Sequence, residues 1–264
     1  MDRIISFITW LGKIGVNGGN IHVLEVDKTM PDQQIHVLTQ EENTVAFLKL
    51  ASFFEENQDL TYSPFRDIKK AFANEYHDYE KTVNGKTTFV KDGLVCYFNR
   101  CDAMNTQAVY GIEGSGQITN CGRTNKEGID FSKAGDSGFE RYISLYNTPQ
   151  EHGGCGGCPF FLLCSGGCPG EGADYDLRNK TIHCKTNQAM FSFYEEKAIE
   201  SGTVPFSKMN SRIDMEAALL NDLVNGKNPQ LRDLIERVEK YPVKREAGVF
   251  KDLKGEVITV EISE

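Results

Sequence analysis

An α+β fold in three parts follows from three features of the sequence. Strand-like apolar runs alternate with amphipathic helical stretches over the first third, all eight cysteines fall between Cys96 and Cys184, and helical periodicity returns after Cys184. The expected arrangement is a β/α segment over residues 1–90, a cysteine-rich module of hairpin and loops over 91–200, and a helical tail ending in a strand over 201–264.

With 264 residues, 39% of them hydrophobic and 10% aromatic, the chain can bury a sizeable core as one large domain or two smaller ones. Its net charge of −9 comes without long runs of one sign. That balance serves solubility and lacks the clustered basic face of a nucleic-acid binder, while leaving basic peptides open as substrates. The stretch Ile4 to Val16 is apolar but broken by Lys13, with no small-residue cleavage site, so neither a signal peptide nor a membrane span is expected. A cytoplasmic location follows, where thiols stay reduced and a dense cysteine set points to metal before disulfide.

Ile21 to Val26 is a nearly continuous apolar run after the turn Asn17-Gly18-Gly19-Asn20, which predicts a buried strand of a parallel sheet. A second run, Ile35 to Leu38, leads to Thr39 with Glu42 three residues on, a capping-box signature. Leu48, Ala51 and Phe54 supply part of the buried face of that helix. Ser63-Pro64 opens another helix, with proline in its first turn and Phe65, Ile68, Phe72 and Tyr76 on one side. Asn84-Gly85 signals a turn, and a composition boundary falls between residues 80 and 95. Past Cys184, helices are expected around Met190 to Ala198, around Ile213 to Val224 with Gly226 as a stop, and from Asn228-Pro229 through Leu231, Leu234, Ile235 and Val238. Val257 to Ile262 alternates like an edge strand.

The strongest chemical signal is Cys155, Cys158, Cys164 and Cys168, spaced C-x2-C-x5-C-x3-C, followed by Cys184. A cubane cluster takes thiolates from four directions, so a short C-x2-C supplies two corners and a distant cysteine closes the cage. Gly153, Gly154, Gly156, Gly157, Gly166 and Gly167 let the backbone wrap closely and turn N–H groups toward sulfur. Upstream, Cys96 lies five residues before Cys101, and Gly116 turns a hairpin that brings Cys101 and Cys121 near its base. Eight thiols divide into two sets of four; two structural zinc sites or disulfides are the other uses of such a set.

This pattern, C-x14-G-x4-C from Cys101 to Cys121 and then C-x2-C-x5-C-x3-C and a last cysteine, resembles the SPASM domain of radical S-adenosylmethionine peptide and protein maturases. The resemblance covers Cys96 to Cys184 and implies two 4Fe-4S clusters that interleave along the chain. By position, Cys96, Cys101, Cys121 and Cys168 would hold one cluster, and Cys155, Cys158, Cys164 and Cys184 the other. With every corner occupied, the resemblance implies an electron relay, with a peptide or protein as substrate and a reductant such as ferredoxin or flavodoxin.

The C-x3-C-x2-C motif that binds the S-adenosylmethionine cluster in that superfamily does not occur, and no cysteine precedes Cys96. The segment before Cys96 resembles the last part of the family's β/α barrel. S-adenosylmethionine therefore enters only through a missing or separate barrel half: a partner radical S-adenosylmethionine chain, a shortened gene, or a degenerate relative that kept its auxiliary clusters. Sulfatase-maturing members carry an aspartate base directly after the hairpin cysteine, where this chain has Gly122 after Cys121. That departure turns the expectation from formylglycine formation toward oxidative modification of a ribosomal peptide, and leaves the catalytic residues unassigned. A non-catalytic electron-transfer or peptide-binding protein is the alternative.

His152 and His183 flank cluster cysteines and are read as surface or loop histidines before potential-tuning donors. Asp174, Asp176 and Arg178 are read as solvating a turn, and Glu195, Glu196, Asp222 and Glu236 as the solvated faces of tail helices.

Overall fold

The computed structural model describes residues 2–23, 37–94, 96–102, 111–112, 114–119, 121–124, 138–240, 249–251 and 257–259. It is a mixed helical and sheet structure of the α+β kind, with small two-stranded sheets. Helix α1 (Asp2–Lys13) precedes strand β1 (Gly18–Asn20), helix α2 (Gln40–Glu56), strand β2 (Thr61–Ser63) and helix α3 (Phe65–Ala73). β1 and β2 pair in parallel, Gly18 opposite Thr61 and Asn20 opposite Ser63, so this segment is a β-α-β unit.

The expected strand at Ile21 to Val26 is displaced. The ladder runs through Gly18–Asn20, only Ile21 continues it by donating to the Ser63 carbonyl at 2.8 Å, and residues 24–26 lie outside the described residues. The cause is close approach: a Cβ at Gly19 would stand 3.0 Å from the Tyr62 ring, so the glycine pair admits β2 where a side chain would hold it off. Residues 35 and 36 of the next apolar run lie outside the described residues as well, and 37–39 are irregular.

The capping box is present at α2, where Thr39 Oγ1 accepts from Glu42 N and Glu42 returns a carboxylate to Thr39 N at 2.8 Å. Replacing Thr39 with alanine should cost about 1 kcal/mol, read as a lowered midpoint in urea denaturation; an unchanged midpoint contradicts the cap's contribution. Ala51 and Phe54 are buried as expected, and Leu48 is half-buried. Pro64 sits at the N-cap of α3, one residue before the predicted position; Phe65, Ile68 and Phe72 are buried and Tyr76 half-buried. Asn84 and Gly85, both at positive φ, turn the antiparallel hairpin of β3 (Tyr79–Val83) and β4 (Lys86–Val90).

After a 3₁₀ turn at Cys96–Phe98 come β5 (Gly111–Ile112) and β6 (Ile118–Thr119), antiparallel, with Gly116 at φ 83° in their turn. Helix α4 (Glu140–Asn147) and the single turn α5 (Phe161–Cys164) follow, and then α6 (Cys184–Glu200), α7 (Arg212–Val224) and α8 (Leu231–Lys240). A last pair, β7 (Val249–Lys251) with β8 (Val257–Thr259), covers part of the predicted terminal strand; residues 260–262 lie outside the described residues.

α6 carries the central seam. Asn187, Met190, Phe191, Tyr194, Glu195 and Ala198 recur at helical spacing and are all buried. Phe72 of α3 meets Phe160 at 5.9 Å, Phe191 at 6.2 Å and Phe206 at 4.9 Å between ring centroids, so one apolar cluster from Ile8 to Val238 ties the β/α unit to the cysteine module and the tail.

Two expected solvated-face residues are buried instead. Glu195 accepts from Ser207 and pairs with Lys208 at 3.4 Å. Asp222 faces α8, where Arg237 approaches it at 2.8 Å. Each carboxylate lies where two segments pack and a cation reaches it, an arrangement that helical periodicity does not encode. Glu196 and Glu236 are exposed as read.

Candidate metal centre

Four cysteines converge between α4, α5 and α6. The Cys155 amide donates to the Leu145 carbonyl at 2.7 Å, which hangs the loop on α4, and Cys158 N returns to Cys155 O at 3.0 Å. Cys164 ends α5, its amide bonded to Phe160 O at 2.9 Å, and Cys184 is the first residue of α6. That last placement puts Cys184 at the positive end of a 17-residue helix.

Their electrostatics show the proximity. Burial pushes the Cys155 thiol up to about 12, with Cys158 and then Cys184 adding to it and Lys180 and Arg141 opposing. Burial also raises Cys164 well above its ordinary value, with Cys155, Cys184 and Cys158 as the next causes. Cys184 is raised by burial, eased by Lys180 and raised again by Cys158. Cys155, Cys164 and Cys184 are raised, with Cys158 among the causes of each, so the thiols form one electron-rich donor set, and a bound cation would invert that cost by taking the thiolates as ligands. Backbone geometry supplies donors: the Gly166 amide hydrogen-bonds to Cys164, and Gln188 Nε2 stands 3.9 Å from Cys158 Sγ. A Cβ at Gly166, where φ is 83°, would lie 3.7 Å from Cys155 Sγ and 2.5 Å from a Leu145 methyl. The chemistry and convergence of this set fit a four-thiolate cluster.

Two members of the other set, Cys101 and Cys168, lie beside Tyr142. Its hydroxyl donates to the Cys101 carbonyl at 2.5 Å. Burial raises its phenol, Arg141 opposes, and the charges of Cys101 and then Cys168 add to the rise. Cys168 is pushed up to about 12 by burial and then by Glu171, while Arg123 and the Gly170 amide ease it. The loop 121–124 is pinned by Thr124, whose amide and hydroxyl both donate to Cys121 O, and lies on the turn after Cys168: a Cβ at Gly170 would be 2.4 Å from Arg123 O. Cys101, Cys121 and Cys168 are thus half-buried neighbours of one region, and of Cys96 the backbone alone is described. Among the described residues no three His, Cys, Asp or Glu side chains are placed as the ligands of a single metal ion.

Several residues of this site carried no signal in the sequence. Arg141 donates to the carbonyls of Gly167 at 3.1 Å, Gly166 at 3.2 Å and Asn179 at 2.8 Å, and so holds the turn between Cys164 and Cys168. Lys180 donates to Gly154 O at 3.1 Å. Arg100, one residue before Cys101, is buried against the module and the tail. Of these three, Arg100 alone had a positional cue, its place next to Cys101, and nothing in its residue type marked it.

His152 is exposed on the rim of a surface cavity of about 860 Å³ whose lining includes Cys101, Arg141 and Lys180. His183 lies in the loop just before α6, as the loop reading expects, but is buried there rather than on the surface, its amide bonded to Thr181 Oγ1 at 3.1 Å. Arg178 pairs with Asp176 at 2.5 Å and its hydrogen bonds pull that carboxyl down to about 2, a local turn pair as expected. Asp174 is exposed at φ 56° in the same turn.

No family model matches the chain, and neither a curated protein nor a solved structure does. Among the described residues no helix is long and apolar enough to cross a membrane.

Proposed function

We propose that this chain is the auxiliary-cluster, SPASM-like part of a radical S-adenosylmethionine peptide or protein maturase, working in the cytoplasm as an electron relay during oxidative modification of a ribosomal peptide. The observation that carries the proposal is the convergence of Cys155, Cys158, Cys164 and Cys184 on one half-buried place, four residues whose chain spacing runs from 155 to 184. Cys101, Cys121 and Cys168 with Cys96 would form the second set. Two 4Fe-4S clusters held there would supply one-electron acceptance and release.

The protein's own groups do the rest. Arg141 keeps Cys164 and Cys168 at a constant separation by gripping the glycine turn between them, and Tyr142 fastens Cys101 to the same helix. Phe160, Phe161, Leu162 and Leu163 are buried behind the thiols and limit water on that side. The parallel β1-α2-β2 unit supports the reading of residues 1–90 as a barrel-like segment, with a separate barrel chain as partner and ferredoxin or flavodoxin as reductant. A second reading, a non-catalytic iron-sulfur electron-transfer or peptide-binding protein, uses the same eight thiols and needs no S-adenosylmethionine site.

Anaerobic reconstitution followed by iron and sulfide analysis tests the first step. About eight of each per chain, with electron paramagnetic resonance signals from two reduced clusters, is the expected result. Zinc without sulfide would sink both iron-sulfur readings. Turnover of a peptide only when a barrel-bearing chain is added separates the maturase from the binding protein.

A further inference from the structure

A buried polar chain runs between the two cysteine sets. Arg123 Nη1 donates to Glu171 Oε1 at 2.9 Å, and Thr181 Oγ1 donates to Glu171 Oε2 at 3.3 Å. The Glu171 side chain is 4% exposed and its amide donates to the Cys168 carbonyl at 3.1 Å. At the far end the Tyr97 hydroxyl accepts from Asn187 Nδ2 at 2.9 Å. A Cβ at Gly167, where φ is 72°, would stand 2.6 Å from Thr181 Cγ2 and 3.2 Å from the Tyr97 hydroxyl, so the chain fills the space beside the turn that joins Cys164 to Cys168.

We propose that the Arg123–Glu171 pair sets the reduction potential of the cluster held through Cys168, and that Thr181 and Tyr97 carry this polar chain across to Cys164; the assignment rests on the two-cluster reading. A buried carboxylate, poorly screened by water, opposes the arrival of an electron beside it, and the partly exposed guanidinium paired with it favours that arrival more weakly. Proximity to both sets agrees: Glu171 raises the Cys168 thiol, and after burial it is the leading cause, ahead of Cys164, of the raised Tyr97 phenol. Arg123 is the pair's outer member, with its side chain 25% exposed, and it also hydrogen-bonds to Cys168.

The test compares wild type, Glu171→Gln and Arg123→Met after anaerobic reconstitution, each titrated with dithionite at pH 8 and followed by electron paramagnetic resonance. Iron and sulfide should be unchanged. Glu171→Gln should raise one of the two midpoints by about tenfold or more in the reduction equilibrium, 59 mV for one electron, and Arg123→Met should lower the same midpoint. Structural damage has no reason to produce shifts of opposite sign. Shifts in the same direction, or a midpoint unmoved on that scale, overturn the assignment. Should Glu171→Gln lose its iron, Arg123→Met decides alone, since its side chain reaches solvent. Two clusters with unmoved potentials leave the proposed function standing, whereas zinc without sulfide in the wild type removes the function and this assignment together.

Discussion

With the two proposed clusters in place, Cys164→Ala is expected to leave about four irons per chain where wild type would take about eight, and to lower the thermal midpoint by roughly 10 °C. Between Thr148 and Cys184 the backbone has one helical turn, α5, two isolated β-bridges, Pro149 with Gly156 and Gly172 with Thr181, and otherwise 3₁₀ turns and irregular loop. Such a segment holds its shape through cross-links more than through ladders of its own. A cluster that bridges positions 155 and 184 closes a loop whose chain entropy is worth about 3.5 kcal/mol by the same argument as for a disulfide. For a chain of this size each kcal/mol moves the midpoint by about 2–4 °C, which gives the stated fall. Cys158→Ala should behave alike. Iron analysis and calorimetry of the reconstituted variants check both numbers; a Cys164→Ala chain with full iron and an unshifted midpoint would mean that this thiol is not a ligand.

Arg100→Ala should cost about 3–5 kcal/mol and give poor soluble yield. The Arg100 side chain is buried at 4% exposure and donates to Leu162 O at 3.1 Å, to Asn228 Oδ1 at 2.9 Å and to Pro229 O. It therefore joins the 3₁₀ turn bearing Cys96, helix α5 and the connection between α7 and α8 through one guanidinium. Truncation leaves these acceptors buried without a donor, at about 1–3 kcal/mol each before relaxation. Burial lowers Arg100 to about 10, still well above neutral, so the fork remains charged. Arg100→Lys should recover little, since an ammonium cannot reach three divergent acceptors from one plane. Chemical denaturation of the three proteins measures this. Equal stability for Arg100→Lys and wild type would show that charge alone, without the fork, suffices.

Burial accounts for where the reading of the sequence held. The helices α2, α3, α7 and α8 were legible because each repeats apolar residues at helical spacing beside a start or stop signal, such as Thr39 with Glu42, or Gly226 at φ 69°, whereas α6, expected around Met190 to Ala198, begins already at Cys184. The Asn84-Gly85 hairpin was legible because type I′ geometry needs positive φ at both positions. β1 was not, because its register depends on how closely the Tyr62 ring can approach Gly19. Neither were α4 nor the buried Glu195 and Asp222, whose partners lie on other segments.

The same division applies to the site. By itself the sequence determined the number of thiols, their spacing, the absence of a C-x3-C-x2-C motif and the glycines that allow tight wrapping. Only the tertiary structure decided that Cys184 begins a helix beside Cys155, Cys158 and Cys164, and that Arg141, Tyr142, Arg100 and the Arg123–Glu171 pair brace the loops that carry the cysteines. Spacing is a property of the chain and survives in one dimension. A hydrogen bond from Arg141 to the carbonyl of Asn179, or from Arg100 to that of Leu162, goes to a backbone group that every residue type possesses, so the partner's identity leaves no trace in the sequence.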